Sequence, residues 1–147
     1  MASPPCACTT IRKAARAITR FYDEAIERGG LTSTQFAVLR AVEREGDAPM
    51  SRVADALVMD RTSLYRVVAP LVRDRLLRCS SSNDDARAKH LTLTPLGRAQ
   101  IARAARHWAA AQSRVEAHVG TQQWQRMSVW LTELADEVRT WSAEDVR

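Results

Sequence analysis

Apolar positions along the chain recur mostly at steps of three and four, the period of an amphipathic helix, and only once alternate as in a strand. Ile11, Ala15, Ile18, Tyr22 and Ile26 trace a first helix over residues 9–28, with Thr9 or Thr10 to cap it and Gly29-Gly30 to end it. Thr32-Ser33-Thr34-Gln35 has capping-box spacing and opens a second helix, with Phe36, Leu39 and Val42 inward and Gly46 at its end. Asp47-Ala48-Pro49 reads as a turn, and Ser51 as the cap of a short helix from Arg52 to Leu57. After the break Val58-Met59-Asp60, a third pattern runs from Arg61 to about Arg75. Its inward face is Leu64, Val67 or Val68, Leu71 and Val72; Thr62, Ser63, Tyr65, Arg66 and Arg73 face outward. Pro70 removes the bond to the Arg66 carbonyl, so a bend or an early tightening is expected there.

Then the period changes. Leu76 to Ser80 and Ala88 to Leu93 are strand candidates, the second ending in the alternation Leu91-Thr92-Leu93-Thr94, and the turn-rich stretch 81–87 joins them. Thr94-Pro95 is a helix start, a cap followed by proline at the first helical position. The helix it opens runs to about Val119 and is roughly 37 Å long at 1.5 Å per residue. Gly120-Thr121 breaks and recaps the chain. In the last helix Trp124, Met127, Leu131, Leu134, Val138 and Trp141 form a heptad seam, the pattern by which one helix packs along another. The two long helices read as a dimer interface; the alternative is a hairpin that buries its own seam.

Composition narrows the class. Of 147 residues, 46% are hydrophobic and 27% charged, enough for a packed core in a soluble domain. No apolar run is long enough to span a bilayer and the N-terminus lacks the order of a signal peptide, so the expected location is the cytoplasm. The net charge of +5 is concentrated: between Arg61 and Arg106 nine Arg and one Lys oppose Asp74, Asp84 and Asp85, giving +7 and leaving −2 for the rest. Such a block fits a polyanion partner. Cys6, Cys8 and Cys79 make a disulfide framework improbable, and Cys6-Ala7-Cys8 has no second pair of metal ligands. His90, His107 and His118 form no catalytic set, and no glycine-rich phosphate loop is present. Neither an enzyme, a metal site nor a cofactor is expected.

The order helix, short helix, break, polar-faced helix and hairpin is that of a winged helix-turn-helix: a mainly α fold with a small β-hairpin wing and a helical dimerisation region. Arg61, Thr62, Ser63, Tyr65, Arg66 and Arg73 supply guanidinium and hydroxyl groups for base edges or phosphates. Arg87 and Lys89 make the ribbon cationic, and Asp85 suits a tether that fixes the direction of Arg87.

Over roughly residues 10–142 the chain resembles the MarR family of transcriptional regulators. The carrying residues are Asp85-Ala86-Arg87, then Leu93-Thr94 and Gly97; upstream, Val53-Ala54-Asp55-Ala56-Leu57 and Asp60-Arg61-Thr62-Ser63-Leu64 resemble the family's helix-turn-helix. The resemblance implies a homodimer on a palindromic operator, probing the minor groove with Arg87 and the major groove with residues 61–66. It divides the chain into an arm and first helix over 1–30, a DNA-binding lobe over 31–94 and dimerisation helices over 95–147. Repression is the family's habit. One departure is Arg75, where the family usually has glycine; an ordinary helical end or an added phosphate contact is expected of it.

The resemblance also implies a signal, commonly a small aromatic acid or phenolic effector. Arg16, Tyr22, Arg106 and Trp108 are the candidate effector residues, an arginine to pair a carboxylate and rings to sandwich a flat ligand. The rival reading is a thiol sensor at Cys6 and Cys8, near Arg12 and Lys13. A protein-interaction module that binds no DNA would account for the seam but not for the basic ribbon.

Overall fold

A computed structural model describes residues 4–81 and 88–142. Among these residues six helices and three strands follow in the order α1 (Ala7–Ile26), α2 (Ser33–Glu45), β1 (Asp47–Pro49), α3 (Met50–Ala56), α4 (Arg61–Arg73), β2 (Leu77–Ser81), β3 (Lys89–Leu93), α5 (Pro95–Val119) and α6 (Thr121–Val138). A single 3₁₀ turn, Glu27–Gly29, follows α1. The chain divides into two units, Met1–Ala111 and Gln112–Arg147.

Local sequence chemistry sets several helix ends. Thr32 Oγ1 accepts from Gln35 N at 3.1 Å while Gln35 Oε1 accepts from Thr32 N at 3.0 Å, the complete capping box that opens α2. Asp23 Oδ1 takes the next free amide, Ser33 N, at 2.7 Å and so ties α1 to that corner. Two expected caps lie elsewhere. Helix α1 begins not at Thr9 or Thr10 but directly beyond Pro4-Pro5, with Cys6 in the N-cap position and Thr10 N bonded to its carbonyl at 2.9 Å. Helix α3 starts at Met50, with Pro49 rather than Ser51 in the cap position, because the proline's extended backbone already delivers the chain to the first turn.

Asp47-Ala48-Pro49, expected as a turn, is a third strand. It pairs antiparallel with β3, Ala48 opposite Leu91, and the sheet order is β1-β3-β2. On the other side of β3, Leu77 lies opposite Leu93 and Cys79 opposite Leu91. The two-residue period sends Ala48, Leu77, Leu91 and Leu93 to the core, and all four are buried. Pro49, which cannot donate to a ladder, sits at the end of an edge strand. On the outer face His90 Nδ1 lies 3.1 Å from Asp47 Oδ2, a cross-strand pair.

The core gathers Val38, Leu39 and Val42 of α2, Val53 of α3, and Leu64, Val68 and Leu71 of α4 over this sheet. Gly29 and Ala104 let the end of α1 approach α5 closely: a Cβ on Gly29 would lie 2.8 Å from the Ala104 Cα. The Gly29 carbonyl accepts from Gln100 Nε2 at 2.6 Å and from Arg103 Nε at 3.3 Å.

Helices α3 and α4 end alike. After α4, Arg75 N donates to Val72 O at 3.0 Å and Leu76 N to Leu71 O at 2.8 Å; after α3, Val58 N donates to Asp55 O and Met59 N to Ala54 O. Both are Schellman motifs, which need a left-handed residue at the turn. Here those residues are Val58 at φ 52° and Arg75 at φ 60°. Arg75 therefore does not take the ordinary helical end expected of it. Its carbonyl is gripped by Thr94, so the non-glycine residue keeps the left-handed geometry.

In the second unit, α6 buries no residue fully. Along its seam Trp124, Met127, Leu131 and Leu134 are half-buried and Val138 is exposed at 44%; Trp141, expected as the last residue of the seam, lies beyond the helix end at Val138 and is exposed at 56%. None of the described helices is long and apolar enough to cross a membrane.

Candidate nucleic-acid interface

Helix α4 starts from Asp60, whose Oδ1 accepts from Ser63 N at 2.8 Å and whose Oδ2 accepts from Ser63 Oγ at 2.6 Å. The Ser63 hydroxyl and amide lower the Asp60 carboxyl below its ordinary value, since both donate to the charged form. Leu64, Val68 and Leu71 anchor the helix in the core and leave Arg61, Thr62, Tyr65, Arg66 and Arg73 exposed. Ser63, half-buried, is the one polar residue of this set whose hydroxyl is already committed to a carboxylate. Arg73 is also engaged, Nε to Asp74 Oδ1 at 3.0 Å.

Strand β3 brings the wing against the start of this helix. Arg61 and Tyr65 of α4, Lys89 of β3, and Ser51 of α3 line one cleft of about 280 Å³. Lys89 Nζ donates to Ser81 Oγ across the β2–β3 ladder at 2.9 Å, which holds the ammonium near that cleft. The fold thus joins cationic residues from two segments 28 positions apart, Arg61 and Lys89. Arg87 and its expected tether Asp85 lie outside the described residues.

The four candidate effector residues separate. Tyr22 and Trp108 line one cavity of about 640 Å³, with Ile26, Phe36, Leu57, Arg40 and Arg44. Phe36 and Trp108 stack at a tilt, centroids 6.2 Å apart and planes 31° apart. Arg16 instead lines an open groove with Arg20, Asp23, Glu24 and Glu27, and Arg106 is exposed and outside both. Arg40 and Arg44 were missed by sequence reasoning, although Phe36, Arg40 and Arg44 fall at four-residue steps on one helix face.

Cys6, Cys8 and Cys79 are all exposed free thiols. The Cys6 thiol is pulled below its ordinary value, first by the Thr9 amide and then by the Thr9 hydroxyl. Among the described residues no group of three or more His, Cys, Asp or Glu side chains is positioned to hold a metal ion.

A short helix, a left-handed turn, a longer helix with a polar outer face, and a three-stranded sheet against its start define a winged helix-turn-helix protein. Comparison with known proteins agrees. Residues 29–88 match the model of the MarR family. The regulator MhqR of Bacillus subtilis is 30% identical over 87 residues, which is 59% of this chain and 60% of MhqR's own length. The M. tuberculosis transcriptional regulator MosR, solved in complex with DNA, is 36% identical, covers 92% of this chain and 97% of its own, and superposes with a TM-score of 0.83. PcaV of Streptomyces coelicolor, solved with its natural ligand, shares the fold at 24% identity and a TM-score of 0.80, over 92% of this chain and 98% of its own. The chain belongs to the MarR family of DNA-binding transcriptional regulators.

Proposed function

We propose that the protein is a sequence-specific regulator of transcription, a repressor, that binds a palindromic operator in double-stranded DNA as a homodimer and is released by a small aromatic acid or phenolic compound. The observation that carries this reading is the cleft in which Arg61 and Tyr65 of α4 meet Lys89 of the wing. Helix α4 enters the major groove with Arg61, Thr62, Ser63, Tyr65 and Arg66 foremost, and Arg73, Lys89 and Arg87 follow the phosphates or the adjoining groove. MosR, the 36% identical relative solved with DNA, supports DNA as the partner.

The homodimer rests on the seam of α6, which stays half-buried or exposed in a single chain. An apolar ridge of that length is the signature of a helix awaiting a partner. Two lobes held by such helices meet half-sites one DNA turn apart, about 34 Å.

The effector site is the cavity of Tyr22, Phe36 and Trp108. Its walls suit a flat ring, and the Arg40 and Arg44 guanidiniums suit a carboxylate. Arg40 already pairs with Glu43 at 2.7 Å, whereas Arg44 makes no ion pair among the described residues, so Arg44 is the anion-binding group. A second reading, release by thiol oxidation, is favoured by the depressed Cys6 thiol at the start of α1.

Fluorescence anisotropy on DNA from upstream of the protein's own gene, against a scrambled duplex over a salt series, tests the DNA reading. Selective binding that weakens steeply with salt is the expected result; equal weak binding to both duplexes sinks it. Repeating the titration with aromatic acids, and with peroxide followed by reductant, separates the two signals. Trp108→Ala should abolish release by an acid and spare release by peroxide.

A further inference from the structure

Every polar hydrogen that Ser63 can offer is already used. Its amide goes to Asp60 Oδ1 at 2.8 Å and its hydroxyl to Asp60 Oδ2 at 2.6 Å. A carboxylate accepts only, and a serine oxygen whose proton is committed keeps two lone pairs and nothing to give. Asp60 is exposed, at the same end of α4 as Arg61 and Thr62. This one spot on a cationic helix end therefore repels phosphate and carries no side-chain donor.

Resting on the DNA reading above, we infer that the Asp60–Ser63 pair is an acceptor-only element of base recognition, selecting an exocyclic amine in the major groove. Adenine presents N6 and cytosine presents N4 as donors there; guanine presents only N7 and O6 acceptors, and thymine the O4 acceptor and a methyl group. Asp60 acts as a positioning residue: it fixes the direction of the serine proton and so decides what the serine oxygen can read. Guanine or thymine at the contacted position on that strand would bring acceptor against acceptor. The donors needed for guanine come instead from Arg61 and Arg66.

The residue also caps α4, so the test must separate cap from reader. Asn caps a helix as well as Asp does. In Asp60→Asn the amide oxygen still accepts from Ser63 N, while the new amine brings two donors to the same place. The experiment is selection from a randomised duplex library by the full-length wild type, Asp60→Asn and Ser63→Ala, with circular dichroism on each. The expected result is a symmetric pair of positions at which the wild type enriches adenine or cytosine and Asp60→Asn turns toward guanine or thymine. The relative affinity of the two duplexes should change about fivefold, the worth of one hydrogen bond. Ser63→Ala should weaken the wild-type preference without reversing it. Asp60→Ser, another good cap but neutral, should lose the preference and serves if the Asn variant does not fold. The same enriched sequence from wild type and a folded Asp60→Asn overturns the inference and leaves the regulator intact. No enrichment by the wild type at any salt overturns the DNA reading itself, and this inference with it.

Discussion

The hydroxyl of Thr94 lies 2.7 Å from the carbonyl oxygen of Arg75, and 3.1 Å from that of Leu76, so one proton serves the two carbonyls that leave the end of α4. The same oxygen accepts from Gly97 N at 3.0 Å and caps α5. Gly97 completes the arrangement, because a Cβ there would run into the Leu76 carbonyl oxygen. Leu93-Thr94-Pro95-Leu96-Gly97 is thus the joint where the end of α4, the wing and the long helix α5 meet.

Thr94→Ala removes the cap and the grip together. It should lower stability by about 0.5–2 kcal/mol, the range for a lost helix cap, whereas Thr94→Ser should recover most of it. Urea unfolding of the three proteins checks this; an alanine variant as stable as wild type would mean the joint is held elsewhere.

Val58 and Arg75 occupy left-handed backbone that favours glycine. Val58→Gly should raise stability by about 1 kcal/mol, and Arg75→Gly by somewhat less. The valine, branched at Cβ, is the poorer fit to that geometry. Thermal melts that fall for both variants would indicate that the side chains contribute more than the strain they carry.

The approach of Gly29 to Ala104 leaves no room for a side chain. Gly29→Val should cost about 1–3 kcal/mol by overpacking and loosen the bonds from Gln100 and Arg103 to the Gly29 carbonyl. Native-state hydrogen exchange should then quicken at residues 26–31 before it does in α4.

Acid should act on the start of α4. The Asp60 carboxyl is held below its ordinary 3.8 by its bonds from Ser63. A carboxyl depressed in the folded state contributes stability above its unfolded value and loses it as pH falls through the folded one. Wild type should therefore lose stability relative to Asp60→Asn only below about pH 4, whatever the offset between the two, and that offset should stay constant between pH 5 and 8. Melting curves of both proteins across pH 2–8 measure that difference.

What the sequence disclosed was what neighbours along the chain decide. The capping box of Thr32 and Gln35 and the Thr94-Pro95 start are interactions within three or four residues, and both are present in the structure. Strand β1 was hidden because Asp47-Ala48-Pro49 has turn composition and owes its extension to β3, more than 40 residues later. The left-handed Arg75 was hidden for the same reason, since its partner is Thr94. Helical rotation explains the split among the candidate effector residues. Arg106 and Trp108 are two residues apart, about 200° around the axis, and Arg16 and Tyr22 six apart, about 240°. A basic block stood out in the sequence; its convergence with the wing on one cleft needed the fold.

Strand β3 is flanked on both sides, by β1 and by β2. Its register is consequently set twice, by Ala48 opposite Leu91 on one side and by Cys79 opposite Leu91 on the other. Leu91 is thus braced from both sides at the point where it enters the core. A strand held on two edges resists slipping, so exchanges on the open edge of β2 leave Leu91 and Leu93 seated where they are, much as a beam pinned at both sides keeps its line when one face is recut.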